Sequence, residues 1–239
     1  MDMSTYEEKN PHLINYDRAV NLFSPDGRLL QIEYAKEAVN RGGTTIAMKF
    51  QTAEMEGIIV GITRFSSPLW ELDSREKIHV LFDRKIFGTS CGIIADSNFL
   101  FSEIKRYLNE QDTSFEQIPS IFSLANYVAN MNHYFTTIAG FRPLGVTLLI
   151  FGIDVDGQMR IFEVDPSGVP LSTKVSILGK NRDKIIPKMI SSYRPNLTLE
   201  EAKELIKSFI KPSVKEHVYV DFRILLQNRL TREIQILYE

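Results

Sequence analysis

The chain has 239 residues, with 28 lysines and arginines against 30 aspartates and glutamates, for a net charge of −2. Its 44% apolar content suits one large globular domain, and the interleaved charges exclude the basic face that nucleic-acid binding needs. Uncharged apolar runs such as 145–153 fall far short of the ~20 residues of a membrane span, and no basic-plus-apolar signal segment opens the chain, which therefore reads as intracellular.

In chain order, residues 1–15 are polar, with Glu7-Glu8-Lys9 followed by a helix-hostile Asn10-Pro11. They cannot bury enough apolar surface to fold alone, so a mobile tail is expected there and a single domain over 16–239. A tight Ser24-Pro25-Asp26-Gly27 turn leads into an amphipathic helix over 29–41, with Leu29, Ile32 and Val39 on one face and Gly42 and Gly43 at its end. Residues 45–49 and 57–62 are short β-branched runs joined by a polar loop, as in a hairpin, and 78–82 and 86–90 read as two further strands.

Cys91 follows in a small-residue bend. A single cysteine excludes an internal disulfide, and the four scattered histidines, His12, His79, His133 and His217, give no metal-ligand spacing, so neither metal nor cofactor is expected. Catalysis by Cys91 with His79 or His133 as base is a weak reading, because a small buried thiol packs well at such a bend and nothing nearby in sequence lowers its pKa.

Residues 95–109 and 119–137 each carry one apolar stripe at helical spacing. Strand character returns at 146–153 and 159–164 around an Asp154-Val155-Asp156-Gly157 turn, and 173–178 is expected to extend that sheet. Two more helices are predicted over 182–193 and 199–209, the second with Thr198 placed to cap and Glu201 three residues on, before a last strand near 218–225. This order predicts an α+β domain whose helices cover the outer faces of packed antiparallel sheets.

Several segments resemble the α-type subunits of the proteasome core particle. The densest match is Tyr16-Asp17-Arg18, Phe23-Ser24-Pro25-Asp26-Gly27-Arg28, Gln31-Ile32-Glu33-Tyr34-Ala35 and Glu37-Ala38, without a gap. Thinner matches follow at Ser74-Arg75-Glu76-Lys77-Ile78, Gly92-Ile93-Ile94-Ala95-Asp96, Arg142-Pro143-Leu144-Gly145-Val146 and Asp165-Pro166-Ser167-Gly168. The resemblance implies the four-layer αββα fold of N-terminal-nucleophile hydrolases with an extra N-terminal helix. One departure stands out: an Asp-Lys-Arg-like triplet of the family is Ile62-Thr63-Arg64 here.

The resemblance implies a non-catalytic subunit that forms part of the gated entrance to a proteolytic chamber. The expected partners are other α-type subunits in a ring of seven, β-type subunits, the C-terminal tails of regulatory particles or other activators, and unfolded protein passing the pore. It assigns gating to Tyr16, Asp17, Pro25 and Tyr34, and to Lys77 the docking of an activator's terminal carboxylate, and it implies a cytoplasmic location, with nuclear as well in a eukaryote. Apart from the resemblance, Pro25 stiffens its turn, and the two tyrosines offer rings that pack and hydroxyls that bond.

The alternative is a self-processed hydrolase. Cleavage between Gly43 and Thr44 in Arg41-Gly42-Gly43-Thr44-Thr45 would leave Thr44 as a nucleophile whose own amine serves as base, with Lys77 nearby. Against it, strand register places Gly43 rather than Thr44 in the nucleophile's position, the expected acid is Thr63, and the signature lies upstream of the cut.

Overall fold

The structure, a computed structural model, describes residues 20–65, 69, 76–111, 120–210 and 218–238. Helix α1 (Leu30–Asn40) precedes strands β1 (Thr45–Gln51), β2 (Met55–Phe65), β3 (Ile78–Phe82) and β4 (Ile86–Gly92). Helices α2 (Ile94–Gln111) and α3 (Ile121–Thr137) follow, then β5 (Val146–Ile153), β6 (Met159–Val164), β7 (Pro170–Ser172) and β8 (Val175–Leu178). Helices α4 (Arg182–Ser192) and α5 (Leu199–Phe209) and strands β9 (Val218–Asn228) and β10 (Ile234–Tyr238) complete the described chain.

The strands form two antiparallel five-stranded sheets, ordered β10-β9-β2-β1-β8 and β3-β4-β5-β6-β7. All eight residues of β5 are buried, because a central strand between a facing sheet and a helical layer has no solvated side. Leu148 and Ile150 pack against α2 and α3, whereas Leu149, Phe151 and Ile153 alternate toward the opposite sheet, where Ile58, Val60, Ile62 and Leu225 meet them. On the far side, Ile46, Met48 and Ile59 pack beneath Ile185 and Met189 of α4 and Ile206 of α5. Three apolar layers thus separate four structural ones, which is the predicted αββα architecture. No helix among the described residues is long and apolar enough to cross a membrane.

Helix α5 begins as expected: the Thr198 hydroxyl accepts from the Glu201 N–H at 3.3 Å, and the Glu201 carboxylate accepts from the Thr198 N–H at 2.7 Å. Several expectations need correction. Residues 175–178 do not extend the β5–β6 sheet; β8 pairs with β1 in the other sheet, and it is the short β7 that lies beside β6. The chain crosses between sheets at Thr173 and Lys174, a switch that two consecutive apolar runs cannot reveal. The last strand reaches Asn228, and β10 pairs beside it, unforeseen. Cys91 lies within β4 rather than in a bend. The tail over 1–15 lies outside the described residues.

Helix α1 buries Leu30, Ala35 and Val39; of the expected Leu29, Ile32 and Val39, Val39 is buried and the other two are only partly covered. Ile32 faces outward with Phe23 over a groove of about 460 Å³ that Leu29 also lines. An apolar side chain turned toward an open groove carries the same sequence signal as one turned toward a core.

Candidate functional site

The turn before α1 is built from short-range polar bonds. Gly27 donates to the Ser24 carbonyl at 2.8 Å, Ser24 donates in turn to the Arg28 carbonyl at 2.9 Å, and Gly27 adopts φ +78, a left-handed conformation open to glycine at little cost. Asp26 accepts from the buried Ser24 hydroxyl and from Arg28, and Arg28 reaches Glu33 on the first turn of α1 at 3.1 Å. These bonds hold the Asp26 carboxyl below its usual pKa, the Ser24 hydroxyl contributing most. Pro25 occupies the second position of this turn, exposed, and Tyr34 stands 42% exposed on α1. Tyr16 and Asp17 lie outside the described residues, so only the Pro25 and Tyr34 half of the expected gating cluster can be placed.

Helix α1 is mounted on the open end of the sandwich. Lys36 pairs with Asp165 of the β6–β7 turn at 2.8 Å, the Cys91 thiol donates toward the Val39 and Gly43 carbonyls, and Lys180 N–H donates to the Gly42 carbonyl at 3.0 Å. Gly179, at φ +82, passes so close beneath that a Cβ there would stand 2.4 Å from the Gly43 carbonyl oxygen.

Beyond α1, three residues converge. A Cβ built on Gly43 would sit 3.4 Å from both Lys77 Nζ and Thr63 Oγ1. Lys77 donates to the Thr63 carbonyl at 2.6 Å, and the Thr63 hydroxyl donates to the Thr44 carbonyl at the same distance. The side-chain slot facing the lysine therefore belongs to Gly43, as register predicted, and glycine offers nothing to attack with. The Thr44 hydroxyl instead donates to the Lys180 carbonyl at 2.9 Å, so its proton is committed to a main-chain oxygen, which is no base.

Cys91 is equally unsuited. Burial pushes its thiol up to about 11, only partly offset by the nearby Lys77 charge, and its hydrogen-bond partners are main-chain carbonyls. His79 lies instead against Phe101, ring centroids 4.1 Å apart, where burial lowers its pKa.

The family comparisons agree with this geometry. Residues 39–225 match the family described as "Proteasome subunit", and residues 16–38 match the N-terminal signature of the A-type proteasome subunit. The chain belongs to the proteasome family, α type. Among its relatives, the proteasome alpha subunit of Methanopyrus kandleri is 34% identical across 86% of this chain and 82% of its own. The second proteasome alpha subunit of Haloarcula marismortui is 36% identical over 80% of this chain and 76% of its own, and the proteasome alpha subunit of Methanocaldococcus jannaschii is 37% identical over 80% and 71%. The α type is the non-catalytic side of the family, which stands against the reading of Thr44 as a processed nucleophile.

Lys77 also lines a pocket of about 160 Å³ at the end of the inter-sheet layer, together with Ile62, Arg64, Glu76, Asp221 and Arg223. Arg64 pairs with Asp221 at 3.0 Å, and Arg223 with Glu76 at 3.2 Å. Arg223 is absent from the sites expected from sequence. The signal for it was an arginine in the apolar run Phe222-Arg223-Ile224-Leu225, two residues from Leu225 and hence on the face that packs between the sheets.

Proposed function

We propose that this α-type chain is one wall of a seven-membered ring that stacks on β-type subunits and gates entry of unfolded protein into their chamber in the cytoplasm. The observation that carries the reading is the short, bonded Ser24–Arg28 turn coupled directly to a helix clamped on the sandwich. The proline-stiffened turn converts small displacements at Pro25 into redirection of the preceding tail, and Tyr16, Asp17, Pro25 and Tyr34 form the switch. The open groove beside Phe23 and Ile32 supports ring contact, because an apolar face of this kind is covered in a stable assembly.

Lys77 receives the carboxylate of an activator's C-terminal tail, for which a compact ammonium point charge is well suited. Deleting residues 1–15 in the assembled particle tests the gate: faster hydrolysis of a fluorogenic peptide at unchanged assembly is expected, and an unchanged rate with every subunit's tail removed would overturn it. Lys77→Ala is expected to weaken activator docking while the ring persists, as measured by native mass spectrometry.

A further inference from the structure

The sequence holds two Asp–Gly pairs, Asp26-Gly27 and Asp156-Gly157, and the fold places both in the same kind of turn. In each, the glycine N–H donates to the carbonyl three residues back, Gly27 to Ser24 at 2.8 Å and Gly157 to Asp154 at 2.9 Å. That earlier residue donates to the carbonyl four residues on, Ser24 to Arg28 and Asp154 to Gln158, both at 2.9 Å. The glycines adopt φ +78 and +76, nothing stands within 4 Å of where a Cβ would be, and both aspartates are about half exposed.

An Asp–Gly pair is open to isomerisation, because glycine has no Cβ to shield its amide nitrogen from the preceding carboxyl. The nitrogen attacks Cγ of the protonated carboxyl, a C–N bond forms, and water leaves with the carboxyl hydroxyl and the amide proton, giving a succinimide. Water then opens the ring at either carbonyl, and opening at the former main-chain carbonyl yields isoaspartate.

Both turns oppose the first step, since the amide proton is bonded and each carboxylate is engaged. Asp26 is held by the Ser24 hydroxyl and Arg28, and Asp156 by the Gln158 N–H and Arg160. They differ in what keeps the turn shut. The Asp154–Gln158 turn closes a hairpin between β5 and β6, paired from Leu148 to Ile153, and Asp154 is itself buried and bonded to Arg160 and to the first N–H of α3. The Ser24–Arg28 turn joins no sheet. Its closure depends on buried Ser24, whose hydroxyl also accepts from the Arg28 N–H at 3.1 Å.

We infer that Asp26 is a latent isoaspartate site, masked by the Ser24 hydroxyl and released whenever the Ser24–Arg28 turn opens, while the hairpin keeps Asp156 inert. A turn outside any ladder opens locally at low cost, and a slow reaction of the open form proceeds in proportion to its population. The Ser24 and Arg28 bonds also hold the Asp26 carboxyl below its usual pKa, which keeps the reactive protonated form scarce. The product cannot re-form the turn, because its main chain runs through Cβ and its carboxylate sits on the α-carbon.

The test ages the full chain at neutral pH, labels isoaspartate with an isoaspartyl methyltransferase and a radioactive methyl donor, and assigns the label by peptide mapping. Label is expected at Asp26 and not at Asp156 in wild type. Ser24→Ala is expected to speed accumulation at Asp26 by about five-fold, the factor for one hydrogen bond of ordinary strength, and to leave Asp156 unchanged. Arg28→Gln removes only the more exposed bond and is expected to give about two-fold.

Equal accumulation at Asp26 and Asp156 in wild type would show that the dipeptide alone sets the rate and would overturn the masking. Absence of label at Asp26 in wild type and both variants would overturn the site, and a rate there that neither variant changes would overturn the role of Ser24. Should Ser24→Ala loosen the whole fold, label rises at Asp156 as well and Arg28→Gln decides. Acceleration confined to Asp26 then upholds the mask, and none overturns it.

Discussion

At the scale of single residues, the site is defined by what Gly43 lacks and by what Cys91 cannot do. The thiol stays protonated in the fold up to about 11, whereas its ordinary value is 9.0. Because the folded pKa is raised, its contribution to stability is complete below pH 9 and is lost as pH climbs toward 11, where the unfolded chain sheds a proton that the fold retains. The urea midpoint should therefore fall more steeply over that window in wild type than in Cys91→Ala, and iodoacetamide at pH 8 should label the native thiol far more slowly than the unfolded one. Asp96 makes a second residue-scale case. Its buried carboxylate accepts two bonds of 2.7 Å from Arg142 and one of 2.8 Å from Gly145 N–H; burial raises its pKa, but these bonds outweigh that and hold it below the usual carboxylate range. Asp96→Ala strands the Gly145 N–H and should cost about 2 kcal/mol in denaturant titration, with the half-exposed Arg142 limiting the loss.

Among the elements, α5 was the most legible in sequence: its bounds, apolar face and capping box all follow from Thr198, Glu201, Ala202 and Ile206. Thr198→Ala should cost about 1 kcal/mol by thermal or urea unfolding, because it leaves a first-turn N–H without its acceptor. The strands were legible in position but not in partnership. Residues 146–153 are buried throughout and 176–178 likewise, because each strand is covered on two sides, so neither alternation nor composition says which sheet receives them. On α1 the spacing picks out Val39 correctly but Ile32 wrongly for a related reason, since Ile32 and Phe23 line an open groove rather than a core. The candidate site divides in the same way: register was enough to place Gly43 opposite Lys77, because strand geometry fixes where a side chain points. The inward turn of Arg223 depends on β9 crossing beside β2, which no local pattern encodes.

For the whole molecule, burial is not evenly finished. Phe151 and Phe87 stack at 5.7 Å in a closed layer between the sheets, while Phe23 is 62% exposed beside the groove on α1. The double variant Phe23→Glu, Ile32→Glu should accordingly leave the melting temperature of the lone chain within about 2 °C of wild type, since surface changes alter stability little. The same variant should abolish ring formation in size-exclusion chromatography with light scattering; rings of normal mass would show that the groove is not a contact.

Val39 ties α1 into the layer shared by both sheets. Were the chain to line the chamber entrance, as proposed, client chains drawn past it would pull on this helix. Were α1 merely laid on the surface, a pull on the preceding segment would peel it away one contact at a time. Pinned by Val39 within the sandwich, by Lys36 to Asp165 and by Gly42 to Lys180, it loads those attachments together, in shear, and yields only when the sandwich itself gives. Helix and sandwich are thus one mechanical unit.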